Sequence, residues 1–193
     1  MDVPFQLLFF SAPSLIYFII QTRRGEDWRS VLKNLGLKGC NGSFYIGGIG
    51  IAVVIGGLSW LALRIVPSGV LESPMVSVSA YAGWSLSLYS FIYALLREAF
   101  YVALGEEVFF RGILGGWLVK RFGLIKGNTM QAFVFLLPHL LLLLVSLSFW
   151  GIIVVQFLAG WAIGWLRSKS GSILPGWLGH SLMNALGALS TMR

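Results

Sequence analysis

The chain has little of what soluble enzymes use. Among 193 residues it holds one cysteine, two histidines and seven acidic residues. The single thiol, Cys40, excludes an internal disulfide and a cysteine metal cluster, and its place in a loop suits a bystander better than a nucleophile. Charged residues make up 11% of the chain, against roughly 25% in a typical soluble domain, so a soluble fold of this size is excluded. The spacing His-Glu-x-x-His is absent, as is a Gly-x-Ser-x-Gly turn, which removes the common helix-borne zinc protease and the serine hydrolase elbow. The glycines Gly47, Gly48, Gly50, Gly56 and Gly57 are not followed by Lys-Ser/Thr, so they form no phosphate-binding loop. Their density in one apolar run suits close helix packing instead. Neither an internal repeat nor a low-complexity segment is visible.

What is present is apolar. Runs near 20 residues recur and read as transmembrane helices: about 5–20, 44–66, 130–147, 149–166 and 173–189. Length and continuity predict one domain, 1–193, an all-α polytopic transmembrane bundle of about six to seven membrane-embedded helices. Residues 81–118 are harder to parse. A continuous helix there would be about 57 Å long, more than a ~30 Å hydrocarbon core needs, so it must break, tilt or re-enter, with Gly105 as a weak point; a bent crossing or a partly re-entrant helix is the expected form. The N-terminus, Met1 to Pro4, lacks a basic start, and the first run ends in Arg23-Arg24, which argues for a retained span over a signal peptide.

The net charge of +7 does not imply nucleic acid, because the cations are gathered in short loops. Arg23, Arg24, Arg29, Lys33 and Lys38 lie in one, Lys120, Arg121 and Lys126 in a second, Arg167 and Lys169 in a third. This is the positive-inside pattern of a multi-pass protein, and it places those loops in the cytoplasm. A single bent crossing over 81–118 keeps all three on one side.

Against this background Glu106, Glu107 and Arg111 stand out. Ionisable groups at membrane depth cost about 2.5–3.5 kcal/mol each on insertion and mark function by default. Glu107 and Arg111 are four residues apart and can pair along a helix face. Glu106 is turned about 100° away and is free for another partner. Both histidines, His139 and His180, also lie within apolar runs. Pro138 can open helix backbone beside His139, and His180 shares a helix face with Asn184. The midpoint between Glu106 and His139 falls at the basic turn Phe122-Gly123, so antiparallel helices joined there carry both to one depth. At the helical rise His180 and His139 lie about 17 and 20 Å from Lys169 and Lys126.

A carboxylate, two imidazoles and an amide converging in a low-dielectric cavity suit hydrolysis of a peptide bond. Glu106, with His139, can activate water as a general base. His180 and Asn184 can donate to the oxyanion, with Glu107 and Arg111 as supporting structure. Two Glu and two His could instead ligate zinc.

At these residues the sequence resembles the CPBP family, the CAAX protease and bacteriocin-processing (Abi) group. Its pattern of Glu-Glu-x-x-x-Arg, Phe-x-x-x-His and His-x-x-x-Asn reads here as Glu106-Glu107-Val108-Phe109-Phe110-Arg111, Phe135-Leu136-Leu137-Pro138-His139 and His180-Ser181-Leu182-Met183-Asn184, within a core of about 97–190. The resemblance implies a glutamate-dependent intramembrane endopeptidase with no obligatory cofactor. In it Glu106 and His139 activate water, and His180 and Asn184 form the oxyanion hole. The expected partners are the lipid bilayer and a peptide or membrane-anchored substrate, and the expected location is a prokaryotic plasma membrane. Two rival readings are a non-enzymatic immunity or partner-binding protein and a carrier using the same groups as a proton relay.

Overall fold

Seven helices organise the chain in a computed structural model that describes residues 5–74 and 76–193; the stretch Met1 to Pro4 lies outside them. Helix α1 spans Phe5–Arg23, α2 Trp28–Asn34 and α3 Gly42–Leu63. Residues 88–122 are helical throughout and form α4, followed by α5 Leu124–His139, α6 Trp150–Ser170 and α7 Leu174–Ala188. No strand occurs among the described residues. Four helical stretches, Phe5–Arg23, Gly42–Leu63, Leu124–Val145 and Leu147–Ser170, are long and apolar enough to cross a membrane. Their outward side chains are large and apolar, Ile46 and Leu144 being 73% and 80% exposed, as a surface facing lipid requires.

Local chemistry sets the ends. Asp27 caps α2 by accepting from the Ser30 amide at 3.0 Å, and Asn41 caps α3 through the Ser43 amide at 2.9 Å. The expected loop 21–42 therefore contains a short helix. Helix α5 begins at Leu124, earlier than the apolar run suggests, because Gly123 takes a positive φ of 79° and turns the chain directly out of α4. Gly171 ends α6 in the left-handed region.

Helix α4 resolves the awkward stretch. The expected weak point, Gly105, lies within a continuous helix. A Cβ there would meet the Leu7 Cα at 2.9 Å, so this glycine admits the α1 backbone. The helix departs from α geometry elsewhere, in π segments at Glu98–Ala103 and Glu107–Leu114.

Small residues fix the bundle. A Cβ on Gly179 of α7 would sit 2.6 Å from the Gly48 carbonyl oxygen of α3, so the two backbones touch. Gly160 and Gly164 of α6 give the same closeness to α5, where Phe135, Asn128 and Gln131 occupy the space. Of the six glycines on α3, Gly48 and Gly56 face close neighbours, whereas Gly42, Gly50 and Gly57 have nothing within 4 Å.

The basic segments gather at one end. The Gly36 carbonyl accepts from the Ile173 amide at 3.0 Å, and the Asn34 carbonyl from Arg167 at 3.2 Å. The opposite end is tied by the Leu86 amide to the Arg193 carbonyl at 3.0 Å and by the Thr191 hydroxyl to the Val78 carbonyl at 2.7 Å. Phe149 packs there with Leu63, Val66, Leu71 and Val76.

Candidate active site

Three helices bring the motif residues together: α4 supplies Glu106, Glu107 and Arg111, α5 supplies His139, and α7 supplies His180 and Asn184. Glu106, His139, His180 and Asn184 all line one cavity of about 240 Å³. A second cavity, of about 630 Å³, lies at the basic end and is lined by Arg111, Lys120, Asn128, Gln131 and Arg167.

Glu107 is wholly buried and holds two partners. Its Oε1 lies 3.1 Å from Arg111 and 2.9 Å from His180 Nδ1. Gly176 of α7 makes room for it, since a Cβ there would come within 3.3 Å of the Glu107 Oε2. The Arg111 guanidinium lies 4.1 Å over the Phe135 ring, a cation–π contact that shields its apolar face. The expected ion pair is thus present, and it carries a role that the four-residue spacing could not reveal: it orients an imidazole on another helix.

That orientation has chemical content. Glu107, paired with a guanidinium, is an acceptor, so His180 donates from Nδ1. Nε2 then faces Glu106 Oε2 at 3.7 Å. This is too long for a direct hydrogen bond, yet one water about 2.8 Å from each atom could touch both. In the neutral ring Nε2 accepts; in the imidazolium it donates. Glu106 Oε2 is buried and has no hydrogen-bond partner, so a polar atom of water or substrate is what it lacks.

His139 is also fixed in one tautomer. Its Nδ1 lies 2.9 Å from the Phe135 carbonyl oxygen, which only accepts, so Nδ1 carries the proton. The lone pair of the neutral ring is therefore on Nε2, on the ring edge away from its own helix backbone. Phe135 separates the two imidazoles, with ring centroids 4.7 Å from His139 and 6.0 Å from His180.

Asn184 is anchored by a residue that the motifs do not include. Its Nδ2 donates to Glu98 Oε2 at 3.3 Å, while Glu98 Oε1 accepts from the Tyr81 hydroxyl at 2.6 Å and from Arg97 at 3.1 Å. An amide NH2 has two hydrogens, so one N–H of Asn184 is held by Glu98 and the other is free. On an ideal α-helix Glu98 and Glu106 would be about 80° apart. One residue inserted by a π segment turns the later face back by roughly 100°, bringing the two within about 20°. The π segment Glu98–Ala103 lies between them, and both line the cavity. The visible signal was only a charged pair, Arg97-Glu98, interrupting an apolar run.

Among the described residues no three His, Cys, Asp or Glu side chains are grouped so as to hold a metal ion. Cys40 is half-buried at the basic end, remote from these groups in the fold.

Neither a curated protein nor a solved structure matches the chain. A family model, that of the type II CAAX prenyl endopeptidase Rce1-like proteins, matches residues 88–186, which hold every motif residue described above. Four membrane-length apolar helices and a match over half the chain leave one assignment: this integral membrane protein belongs to the Rce1-like, CAAX-type protease family.

Proposed function

We propose that the protein is an intramembrane endopeptidase in which Glu106 is the general base. The observation that carries this is the Glu106 carboxylate itself. It is buried, its Oε2 is unpartnered, and it faces His180 Nε2 at 3.7 Å in a cavity shared with His139 and Asn184. In the reaction, Glu106 takes a proton from water while the Nε2 lone pair of His139 accepts the other water hydrogen and aims the oxygen. The water oxygen bonds to the scissile carbonyl carbon. The resulting oxyanion accepts from the Asn184 N–H not held by Glu98 and from Nε2–H of the protonated His180 ring. Collapse breaks the C–N bond, and the proton on Glu106 passes to the departing amine. Glu107 accepts from Nδ1 of the His180 ring on the far side, while Arg111 balances the Glu107 charge.

The test uses purified protein in liposomes with a synthetic peptide library in water enriched in oxygen-18. New peptide C-termini carrying one heavy oxygen are expected from the wild type and should be lost in Glu106→Gln and His139→Ala variants that fold normally. Cleavage that persists in Glu106→Gln would rule out this mechanism and favour the binding-protein reading. Cleavage abolished by a chelator and restored by zinc would replace it with a metal-dependent one.

A further inference from the structure

The cavity that holds Glu106 lies toward one end of the bundle. Each crossing helix offers it residues from the half remote from the basic loops. These include Phe10 near the start of α1, Leu63 at the end of α3 and His139 at the end of α5. Gln156 near the start of α6 and Gly187 near the end of α7 complete the set. Exposed Ser77 and half-buried Val78 of the connection between α3 and α4 also line it, as does the buried Phe149 of the connection between α5 and α6. The layer formed by Glu107, Arg111 and Phe135, all at most 1% exposed, lies between this cavity and the larger one at the basic end, to which Arg111 contributes.

The two ends differ sharply in charge. Ten of the fourteen Lys and Arg residues belong to the three segments that meet at the end joined by Gly36, Asn34, Arg167 and Ile173. Among the described residues, the other end holds Arg64, Arg97 and Arg193, with Arg97 paired to Glu98 at 3.1 Å and Arg193 to Glu72 at 3.3 Å. Short loops rich in Lys and Arg stay in the cytoplasm. With α4 as one continuous helix from residue 88 to residue 122, no loop contradicts that orientation.

We infer that the Glu106 cavity opens on the membrane face away from the cytoplasm, and that its substrate is a polypeptide segment presented on that outer face. This rests on the protease reading for the substrate, but the sidedness stands on charge and geometry alone. A cytoplasmic protein tail would have to pass the fully buried Glu107–Arg111 layer to reach Glu106, whereas an exported peptide or the outer flank of an anchored protein meets the mouth directly.

The experiment labels single cysteines in intact expressing cells with a membrane-impermeant maleimide. The native Cys40 marks the basic end. In a Cys40→Ser background, Ser77→Cys marks the cavity mouth and Lys126→Cys gives a second basic-end site; Ser77 and Lys126 are exposed. Ser77→Cys should label in intact cells, whereas Cys40 and Lys126→Cys should label only once the membrane is opened. The opposite pattern, or labelling of both ends in intact cells, would overturn the inference. If Ser77→Cys does not accumulate, an export-dependent phosphatase fused after Arg193 reads the same end: activity supports the inference, and an inactive fusion refutes it. A second arm supplies the impermeant peptide library outside intact spheroplasts. Glu106-dependent cleavage there is expected, and cleavage confined to opened cells would count against the outer-face substrate. Outer labelling of Ser77→Cys with no cleavage on either side would keep the orientation and reject the protease reading instead.

Discussion

Glu107 and Arg111 allow structural support to be separated from catalytic support by a double-mutant cycle. Both side chains are 0% exposed and 3.1 Å apart. Glu107→Ala strands a buried guanidinium, which costs about 3–5 kcal/mol; the Phe135 face at 4.1 Å can return about 2 kcal/mol at most. Arg111→Met strands a carboxylate whose remaining partner is His180, with a penalty of the same order. For a chain of this length each kcal/mol shifts the unfolding midpoint by roughly 2–4 °C. Each single variant should therefore unfold several degrees early when tryptophan fluorescence is followed in detergent. The double variant Glu107→Ala/Arg111→Met buries no charge at these positions and should regain most of that loss, with a coupling of about 3 kcal/mol or more. Activity in the oxygen-18 assay should behave differently. Without Glu107 the ring of His180 loses the acceptor at Nδ1, 2.9 Å away, that holds Nε2 toward Glu106. Turnover should stay roughly 10²–10³-fold below wild type, the usual cost of an oxyanion donor, even where stability is restored. A double variant that recovers both stability and turnover would refute the assignment of Glu107 as the group that orients His180.

Glu98→Gln keeps the shape at Asn184 but removes the charge that Tyr81, Arg97 and Asn184 share. It should lower kcat by about tenfold with KM little changed, and adding Asn184→Ala should cost no more than Asn184→Ala alone. Gly179→Ala puts a methyl 2.6 Å from the Gly48 carbonyl oxygen; the α3–α7 contact must open, lowering stability by about 1–3 kcal/mol. Gly57→Ala, with nothing within 4 Å, should be neutral or raise stability by up to about 1 kcal/mol through helix propensity. Thermal unfolding of the two alanine variants side by side checks whether it is contact, rather than glycine content, that matters.

The parts legible in the sequence are those set by spacing along one helix or by distance from a charged turn. Glu107 and Arg111 do pair at four residues' separation, and the turn at Gly123 does carry Glu106 and His139 into one cavity. The match to the CAAX-type family over residues 88–186 agrees with the three motifs quoted for it. What spacing could not supply is anything that depends on a departure from 3.6 residues per turn or on contact between helices. Glu98 falls on the wrong face until the π segment between it and Glu106 is counted, and a π segment leaves no mark in an apolar run. The link from Glu107 to His180 spans 73 positions, so no local pattern encodes it. The α2 helix was hidden because it is only seven residues long and mixes Trp28, Val31 and Leu32 with polar and basic residues; the visible signal, Asp27 capping Ser30, is weak on its own. Gly105 was read as a place to break because glycine lowers helix propensity, whereas its role is to let α1 approach.

The charges in the core also set the two carboxylates of the motif apart. Three glutamates sit at this depth. Glu98 is balanced by Arg97 at 3.1 Å and Glu107 by Arg111 at 3.1 Å, which leaves Glu106 as the carboxylate without a permanent cation beside it. Among the described residues the ionisable partner within 4 Å of it is His180, at 3.7 Å, with His139 and Arg111 farther off. A buried carboxylate is costly without a partner, so under the proposed mechanism Glu106 and His180 are expected to act together across that 3.7 Å gap. In the proposed reaction Glu106 is the base and His180 an oxyanion donor, so a single gap separates the two roles. If that coupling holds, Glu106→Gln and His180→Gln remove the same function, and the double variant should be no less active than either single one. A double variant at least tenfold below both would mean that the two residues act independently and that charge balance does not link the base to the oxyanion site.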